Sequence, residues 1–265
     1  DLTQLTDTPS GEKTDYRYAV NGQLIGIDLA NGAEIVYLVD ALGRRVGEQI
    51  NGTLKRGWLY ADDIHPIAEV GSDGKTVTAT FVYGAHALLP ELMNRNGRVY
   101  RLLPDALGSL HQVVEMTSGT VVQKTTYDEY GNITDEQLAT DPATGQTFEP
   151  LIFGYAGGLA LRNDPLKLVH FGTRDYAPEL GRWIGKDRIG FQGGDTNLYA
   201  YVGNNPVNAV DPKGTVLPAL VAIGGAAASP EAAAGMAAVG AMGLRYGPQL
   251  AQAVATYGTR AIQVG

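Results

Sequence analysis

Two aspartates in the C-terminal half of the chain have residue types and surroundings that could support acid–base chemistry. Asp187 and Asp211 each begin an Asp-x-x-Gly unit, at 187–190 and 211–214. Two carboxyl groups held close together do not both ionise readily, so one can stay protonated while the other activates a water molecule. That is the chemistry of aspartic peptidases. Neither unit has the Asp-Thr-Gly sequence usual in those enzymes, and an Asp three residues before a Gly is also typical of a type I turn. The residue types alone favour a turn.

The same unit recurs along the chain, which indicates an internal repeat. Runs of β-branched and aromatic residues separate the copies, as in 76–83, and three Asn-Gly dipeptides occur within the first 52 residues. Asn-Gly favours the tight type I′ turn of a β-hairpin, because both residues tolerate a positive φ. The sequence therefore predicts a mainly β fold, an antiparallel strip of consecutive hairpins. Other copies of the unit begin at Asp40, Asp105 and Asp128.

Composition excludes several classes of function. The net charge of −8 in 265 residues argues against a nucleic-acid-binding surface, which requires clustered Lys and Arg. The absence of cysteine excludes disulfides and thiolate metal sites. The histidines lack metal-ligand spacing, so we expect neither a metal nor a cofactor. The chain begins at Asp1 without a signal-peptide pattern, which suggests a piece of a longer protein. The histidines are His65, His86, His111 and His170.

Residues 216–265 differ in composition from the rest of the chain, being rich in Ala and Gly and nearly free of charge. Ser229-Pro230-Glu231 has the sequence of a helix start, and predicts a helix from Pro230 to about Met242. A second helix is predicted from Pro248 to about Ile262. The apolar runs are shorter than the roughly 20 residues that span a bilayer. Two interpretations stay open: a helical segment packed on the sheet, which Glu231 favours, or a membrane-active segment.

The stretch 170–215 combines several short motifs, which are Arg174-Asp175-Tyr176, Gly181-Arg182-Trp183, Asp187-x-x-Gly190, Gly193-Gly194, Asn197-Leu198-Tyr199-x-Tyr201, Asn204-Asn205-Pro206 and Asp211-Pro212-x-Gly214. It resembles the C-terminal end of the Rhs core in the Rhs/YD-repeat family, bacterial toxin shells that include the C component of insecticidal toxin complexes. Weaker resemblance extends back to about residue 17, and Tyr127-Asp128 is close to the YD signature. The resemblance implies that the hairpins join one strip of sheet that spirals into a hollow shell.

The resemblance also implies that the chain cuts itself once, as an aspartic-type peptidase. Asp187 and Asp211 match the two aspartates of the family, and Arg174 matches an upstream arginine that would hold one carboxylate ionised and oriented. The cut would fall between Thr215 and Val216, where the composition changes. The chain departs from the family in having Arg188 after the first Asp, where Pro is usual, and Thr215 where Leu is usual. A purely structural Arg174, in an ion pair or stacked on Tyr176 or Trp183, is the alternative.

These observations predict four regions: a polar leader at 1–15, hairpin repeats at 16–150, an autoproteolytic region at 151–215, and a helical segment at 216–265 leading towards a toxin. The expected function is to enclose a toxin and release it by self-cleavage. The alternative is a non-catalytic structural or adhesion-type YD-repeat module. Expected partners are the rest of the shell, a C-terminal toxin payload, and either a secretion-system spike or a toxin-complex B component. The whole protein would be secreted or delivered by a bacterial injection system.

Overall fold

The computed structural model describes residues 1–6, 11–84, 88–193 and 195–215. Within these residues, thirteen consecutive strands form one antiparallel sheet in which each strand pairs with its neighbours in the chain. The prediction of a mainly β, antiparallel hairpin strip is thereby confirmed. The strands are β1 (Gln4–Thr6), β2 (Lys13–Tyr18), β3 (Leu24–Asp28), β4 (Glu34–Val39), β5 (Arg45–Ile50), β6 (Thr53–Tyr60), β7 (Pro66–Val70), β8 (Val77–Val82), β9 (Leu92–Arg95), β10 (Arg98–Pro104), β11 (Leu110–Glu115), β12 (Val121–Tyr127) and β13 (Ile133–Leu138).

The hairpin turns use the Asn-Gly dipeptides in two different ways. Asn51 and Gly52 both have positive φ, 51° and 74°, as the predicted type I′ turn requires. At Gly22 and Gly32 only the glycine has a positive φ, and the preceding Asn accepts a hydrogen bond from the amide two residues later. These two turns are longer, with the glycine supplying the left-handed residue that ends a type I turn. The dipeptide predicted the hairpins correctly, but not which turn closes each of them.

Two apolar cores lie on the long sheet. One is built on strands β6 to β12 and is completed by Phe148, Leu151 and Phe153 from the chain that follows β13. The other is built on β2 to β4 and is completed by residues between Leu161 and Ile184. The region after β13 therefore packs along the strip from one end to the other. This packing brings residues far apart in sequence to the same place.

Residues after 158 form a second, four-stranded antiparallel sheet. Its strands are β14 (Leu159–Ala160), β15 (Val169–Phe171), β16 (Arg174–Ala177) and β17 (Arg182–Trp183). Its core is aromatic, and the rings of Tyr176 and Tyr201 have centroids only 4.2 Å apart. This core supports the segments that carry Arg174 and Asp211. Short 3₁₀ turns lie at Tyr155–Gly157, Pro178–Leu180, Gly190–Gly193 and Val202–Asn204.

The structure differs from expectation at the start of the chain. The predicted polar leader, residues 1–15, contains β1 and the first residues of β2, which pair in register from Gln4 with Asp15. Backbone hydrogen bonds and the packing of Leu2 and Leu5 on the second core stabilise this edge despite its polar sequence. Residues 4–6 and 13–15 are therefore paired strand residues at the edge of the sheet rather than part of the aperiodic segment we expected.

The tail predicted to be helical and the residue Val216 lie outside the described residues. Among the residues that are described, no helix is long and apolar enough to cross a membrane.

Candidate functional site

Arg174 brings the two predicted aspartates together. It is the first residue of β16, directly after the tight Gly172-Thr173 turn, and its side chain is buried. One nitrogen, Nη2, lies 2.9 Å from Oδ2 of Asp187 and donates a hydrogen bond to Oδ2 of Asp211 at 3.2 Å. The two carboxylates therefore meet across a single guanidinium nitrogen. All three residues expected from the family resemblance lie in one site.

The turn that follows β17 positions Asp187. Its backbone N–H donates to the carbonyl of Leu198 at 3.0 Å, and its own carbonyl accepts from the amide of Gly190. Its Oδ1 accepts a hydrogen bond from the amide of Ile189 at 2.9 Å. One carboxylate oxygen thus stabilises the turn, which leaves the other to face Arg174. These hydrogen bonds form with Arg188 at the position where Pro is usual in the family.

Asp211 follows the buried Val210 of the aromatic core and is itself buried. Its backbone carbonyl accepts from the amide of Gly214, and its Oδ1 accepts from the amide of Thr215, both at 3.3 Å. Its Oδ2 faces Arg174. Asp211 thereby contacts the peptide group that directly precedes the predicted cut after Thr215.

The guanidinium of Arg174 has further contacts that hold it in place. It lies over the ring of Trp183, with its central carbon 4.2 Å from the ring centroid. Its Nε donates to the carbonyl of Gly214 at 2.5 Å. Burial lowers the pKa of Arg174, while the carboxylates of Asp187 and Asp211 act in the opposite direction. Even so, an arginine keeps its proton in proteins. The stacking on Trp183 that was expected of a structural arginine and the contacts expected of a catalytic one occur together here.

Chemically, the site offers two carboxylates, one fixed cation and a peptide bound at its edge. Two neighbouring acids can divide the roles of proton acceptor and proton donor around a water molecule, while the cation between them favours the ionised form of one and orients both. The described residues contain no group of three or more His, Asp or Glu that could hold a metal ion. Of the histidines, His65 contacts Asp62 and His170 contacts Asp175, each through Nδ1.

A second buried ion pair beside the site was missed from the sequence. Arg45 of β5 donates through Nη1 and Nη2 to both oxygens of Asp175, at 3.0 and 3.3 Å, and His170 contacts the same carboxylate at 2.9 Å. Burial alone would raise the pKa of Asp175, but Arg45 and His170 outweigh it and the pKa is lowered. Burial also lowers the pKa of His170, which keeps the ring neutral near pH 7.

This pair joins the long sheet to the residue next to Arg174. No local signal could have revealed it, because Arg45 and Asp175 lie 130 positions apart. The only hint was that Asp175 belongs to one of the motifs shared with the Rhs family.

The family model described as Teneurin YD-shell matches residues 8–207. The chain belongs to this YD-shell family. Teneurin-3 of Mus musculus is 29% identical over 204 residues, which are 74% of this chain and 7% of that protein. The tRNA3(Ser)-specific nuclease WapA of Bacillus spizizenii is 28% identical over 181 residues, 67% of this chain and 7% of the nuclease.

Solved structures share the YD-shell fold. The crystal structure of TcdB2-TccC3 superposes with a TM-score of 0.56 at 20% identity, covering 76% of this chain and 10% of that one. The expected membership in the Rhs/YD-repeat proteins is thereby confirmed, with both teneurins and a toxin-complex shell as relatives in sequence or fold. The chain spans only about 7% of the length of the curated relatives it matches.

Proposed function

We propose that this chain is the C-terminal part of an Rhs-type shell that encloses a toxin and releases it by cutting its own backbone after Thr215. The observation that carries the proposal is the meeting of Asp187 and Asp211 on one nitrogen of Arg174, with the Thr215 amide bound to Asp211. The pair therefore lies next to the peptide group that precedes the proposed cut, which supports cleavage after Thr215.

In the proposed reaction, water attacks the carbonyl carbon of Thr215. One carboxylate of the pair takes a proton from the water, and the other, protonated, donates its proton to the carbonyl oxygen. When the resulting intermediate collapses, the bond to the nitrogen of Val216 breaks and that nitrogen takes up a proton. The products are a carboxyl group on Thr215 and an amino group on Val216. Arg174 keeps both carboxylates in place and offsets their charge throughout.

The fold supports the proposed shell role. Within the described residues, β1 pairs only with β2 and β13 only with β12, so both ends of the strip carry an unpaired strand edge. Such edges can pair with further hairpins. The proposed partners are the rest of the shell, a toxin payload that follows this chain, and either a secretion-system spike or a toxin-complex B component. The whole protein would be secreted or delivered into a target cell, and WapA, a nuclease by name, supports a toxin context.

Intact-mass measurement of the purified chain tests the proposal. The wild type should give two fragments, residues 1–215 and 216–265. Asp187→Asn and Asp211→Asn should each leave one full-length chain, because an amide can neither accept nor donate the required proton. Asp128→Asn is the matched control, since Asp128 also begins an Asp-x-x-Gly turn but lies far from Arg174 in sequence and contacts Asn132 instead. A wild-type chain that stays intact for days at several pH values would contradict self-cleavage.

A non-catalytic structural or adhesion-type module is the second candidate. It is favoured by the contact of Arg174 with Trp183, which by itself would give the arginine a structural role, and by the match to the Teneurin YD-shell family. In that case both the wild type and Asp211→Asn would stay full-length, and Asp211→Asn would only lower the unfolding temperature.

A further inference from the structure

The turn between β15 and β16 contacts the segment that precedes the proposed cut. The backbone N–H of Thr173 donates to the carbonyl of Lys213 at 3.1 Å. The Thr173 hydroxyl lies 3.1 Å from the carbonyl oxygen of Gly214 and 3.2 Å from that of Lys213, which share its one hydrogen. Arg174 Nε donates to the same Gly214 carbonyl at 2.5 Å. Thr173 and Arg174 thus hold two adjacent carbonyls, those of Lys213 and Gly214.

The close approach of the two backbones depends on glycine on both sides. Gly172 has a φ of +51°, and a Cβ there would lie 2.5 Å from the carbonyl oxygen of Lys213. Gly214 has a φ of +63°, and a Cβ there would lie 2.6 Å from the carbonyl oxygen of Phe171. Neither position has room for a side chain, so the segment lies at one fixed distance and register from the turn.

Both ends of the peptide group joining Gly214 and Thr215 are therefore held. Its oxygen accepts from Thr173 and Arg174, while its N–H donates to Oδ1 of Asp211 at 3.3 Å. Because a peptide group is planar, fixing its two ends fixes the orientation of the whole plane. The direction of the next carbonyl, that of Thr215, then depends on the two backbone rotations of one residue.

We propose that Thr173 is a positioning residue for self-cleavage. Its hydroxyl, together with Arg174, orients the Gly214–Thr215 peptide and so presents the following bond to Asp187 and Asp211. This inference rests on the self-cleavage proposed above. Thr173 does not touch the reacting carbonyl of Thr215 in this assignment, and it acts through the peptide before it. When the scissile peptide and the catalytic carboxylates belong to one chain, holding the peptide in a productive orientation accelerates the reaction between them.

The test follows cleavage of the full 265-residue chain during cell-free synthesis. A pulse of labelled amino acid is chased, and the first-order conversion of full-length chain to the 1–215 fragment is measured. Thr173→Val removes the hydroxyl and keeps the shape of the side chain. It should slow conversion by about 3- to 10-fold, the equivalent of one net hydrogen bond. Thr173→Ser should restore the rate to within about twofold of the wild type.

Thr126→Val is the matched control, since the Thr126 hydroxyl bonds to that of Thr134 on an exposed part of the long sheet. It should cleave at the wild-type rate. To separate positioning from folding, Thr173→Val is also placed in an uncleavable Asp187→Asn chain, where the loss of one hydrogen bond should lower the unfolding temperature by only about 2 to 4 °C. If the valine variant does not fold, Thr173→Ala removes the same hydroxyl and carries the same expectation.

The outcomes separate the two proposals. A wild type that never cleaves refutes self-cleavage and this inference with it. A wild type that cleaves while folded Thr173→Val cleaves equally fast refutes the positioning role alone. The amino-terminal residue of the smaller fragment should be Val216. If it is Thr215 instead, Gly214 carries the reacting carbonyl, Thr173 contacts a reacting atom, and the positioning assignment is overturned.

Discussion

The aspartate turns of the long sheet and those of the terminal site begin with the same sequence unit but use their carboxylates differently. In the long sheet, Oδ1 of Asp40 accepts amide hydrogen bonds from the residues two and four positions later, and Oδ1 of Asp128 does the same. Their second oxygens contact the side chains of Arg44 and Asn132, again four positions later. These carboxylates are satisfied entirely within their own turns.

Oδ1 of Asp187 accepts a hydrogen bond from the amide two positions later, and Oδ1 of Asp211 accepts one from the amide four positions later. Their second oxygens face Arg174, which belongs to another strand. The comparison teaches that the Asp-x-x-Gly unit determines a turn through Oδ1, while the residue that contacts Oδ2 differs from one turn to another. A pair of carboxylates suited to acid–base chemistry forms where Oδ2 contacts an arginine that is distant in sequence, instead of a side chain of the same turn.

The strongest test of this contrast exchanges one arginine at a time. Arg174→Gln should abolish detectable cleavage and destabilise the fold by about 3 to 5 kcal/mol, because it leaves two carboxylates facing each other in a buried site. Arg44→Gln removes the local partner of Asp40, and should cost about 1 kcal/mol or less without affecting cleavage. Gel analysis reports cleavage, and urea unfolding followed by tryptophan fluorescence reports stability, since Trp183 contacts Arg174. If Arg174→Gln and Arg44→Gln had equal effects on cleavage and stability, the two kinds of aspartate turn would not differ as described.

A smaller effect is expected from the glycines that end these turns. Gly214→Ala should slow cleavage about tenfold or more and destabilise the protein by about 1 to 3 kcal/mol, since its φ is +63° and its Cβ would collide with the backbone at Phe171. Gly119→Ala is the control, with a φ of +73° but nothing within 4 Å of the added carbon. It should lose about 1 kcal/mol through strain alone and cleave normally. A normally cleaving Gly214→Ala chain would show that the close approach is dispensable.

Asp164 is a buried aspartate whose described hydrogen-bond partners are a tyrosine and a backbone amide rather than an arginine. It accepts hydrogen bonds from the hydroxyl of Tyr16 at 2.9 Å and from the amide of Leu168 at 3.2 Å. Burial raises its pKa from 3.8 to about 6, although these two hydrogen bonds lower it. The folded state therefore binds the proton more tightly than the unfolded state between these two values, and stability should fall as the pH rises from about 4 to 6.

The free energy of unfolding should fall by a total on the order of 3 kcal/mol across this pH range. Of the three predictions, this one has the smallest consequence for cleavage. Urea unfolding at a series of pH values measures it in wild type and in Asp164→Asn. The difference between the two curves should change across this window and be flat above about pH 7. A difference independent of pH would mean that Asp164 does not titrate there.

The sequence by itself determined the repeated hairpins, because a turn depends on four or five consecutive residues whose φ preferences and side-chain acceptors are local. Asn51-Gly52 and the Asp-x-x-Gly units are of this kind. Alternating burial in strands such as β4 follows because successive side chains of a strand point to opposite faces of the sheet. The family resemblance added the names of Arg174, Asp187 and Asp211, which residue chemistry alone assigned to turns or structural pairs.

Only the tertiary structure decided which aspartates meet a cation. The pairing of Arg45 with Asp175, the contact of Thr173 with Gly214 and the strand in the polar first residues all join positions that local preference cannot relate. Asp128 and Asp211 both begin an Asp-x-x-Gly unit, yet the second oxygen of Asp128 contacts Asn132 in its own turn and that of Asp211 faces Arg174. The physical reason is that packing of the terminal sheet on the strip selects the partner of the second oxygen, and that selection depends on contacts over the whole chain.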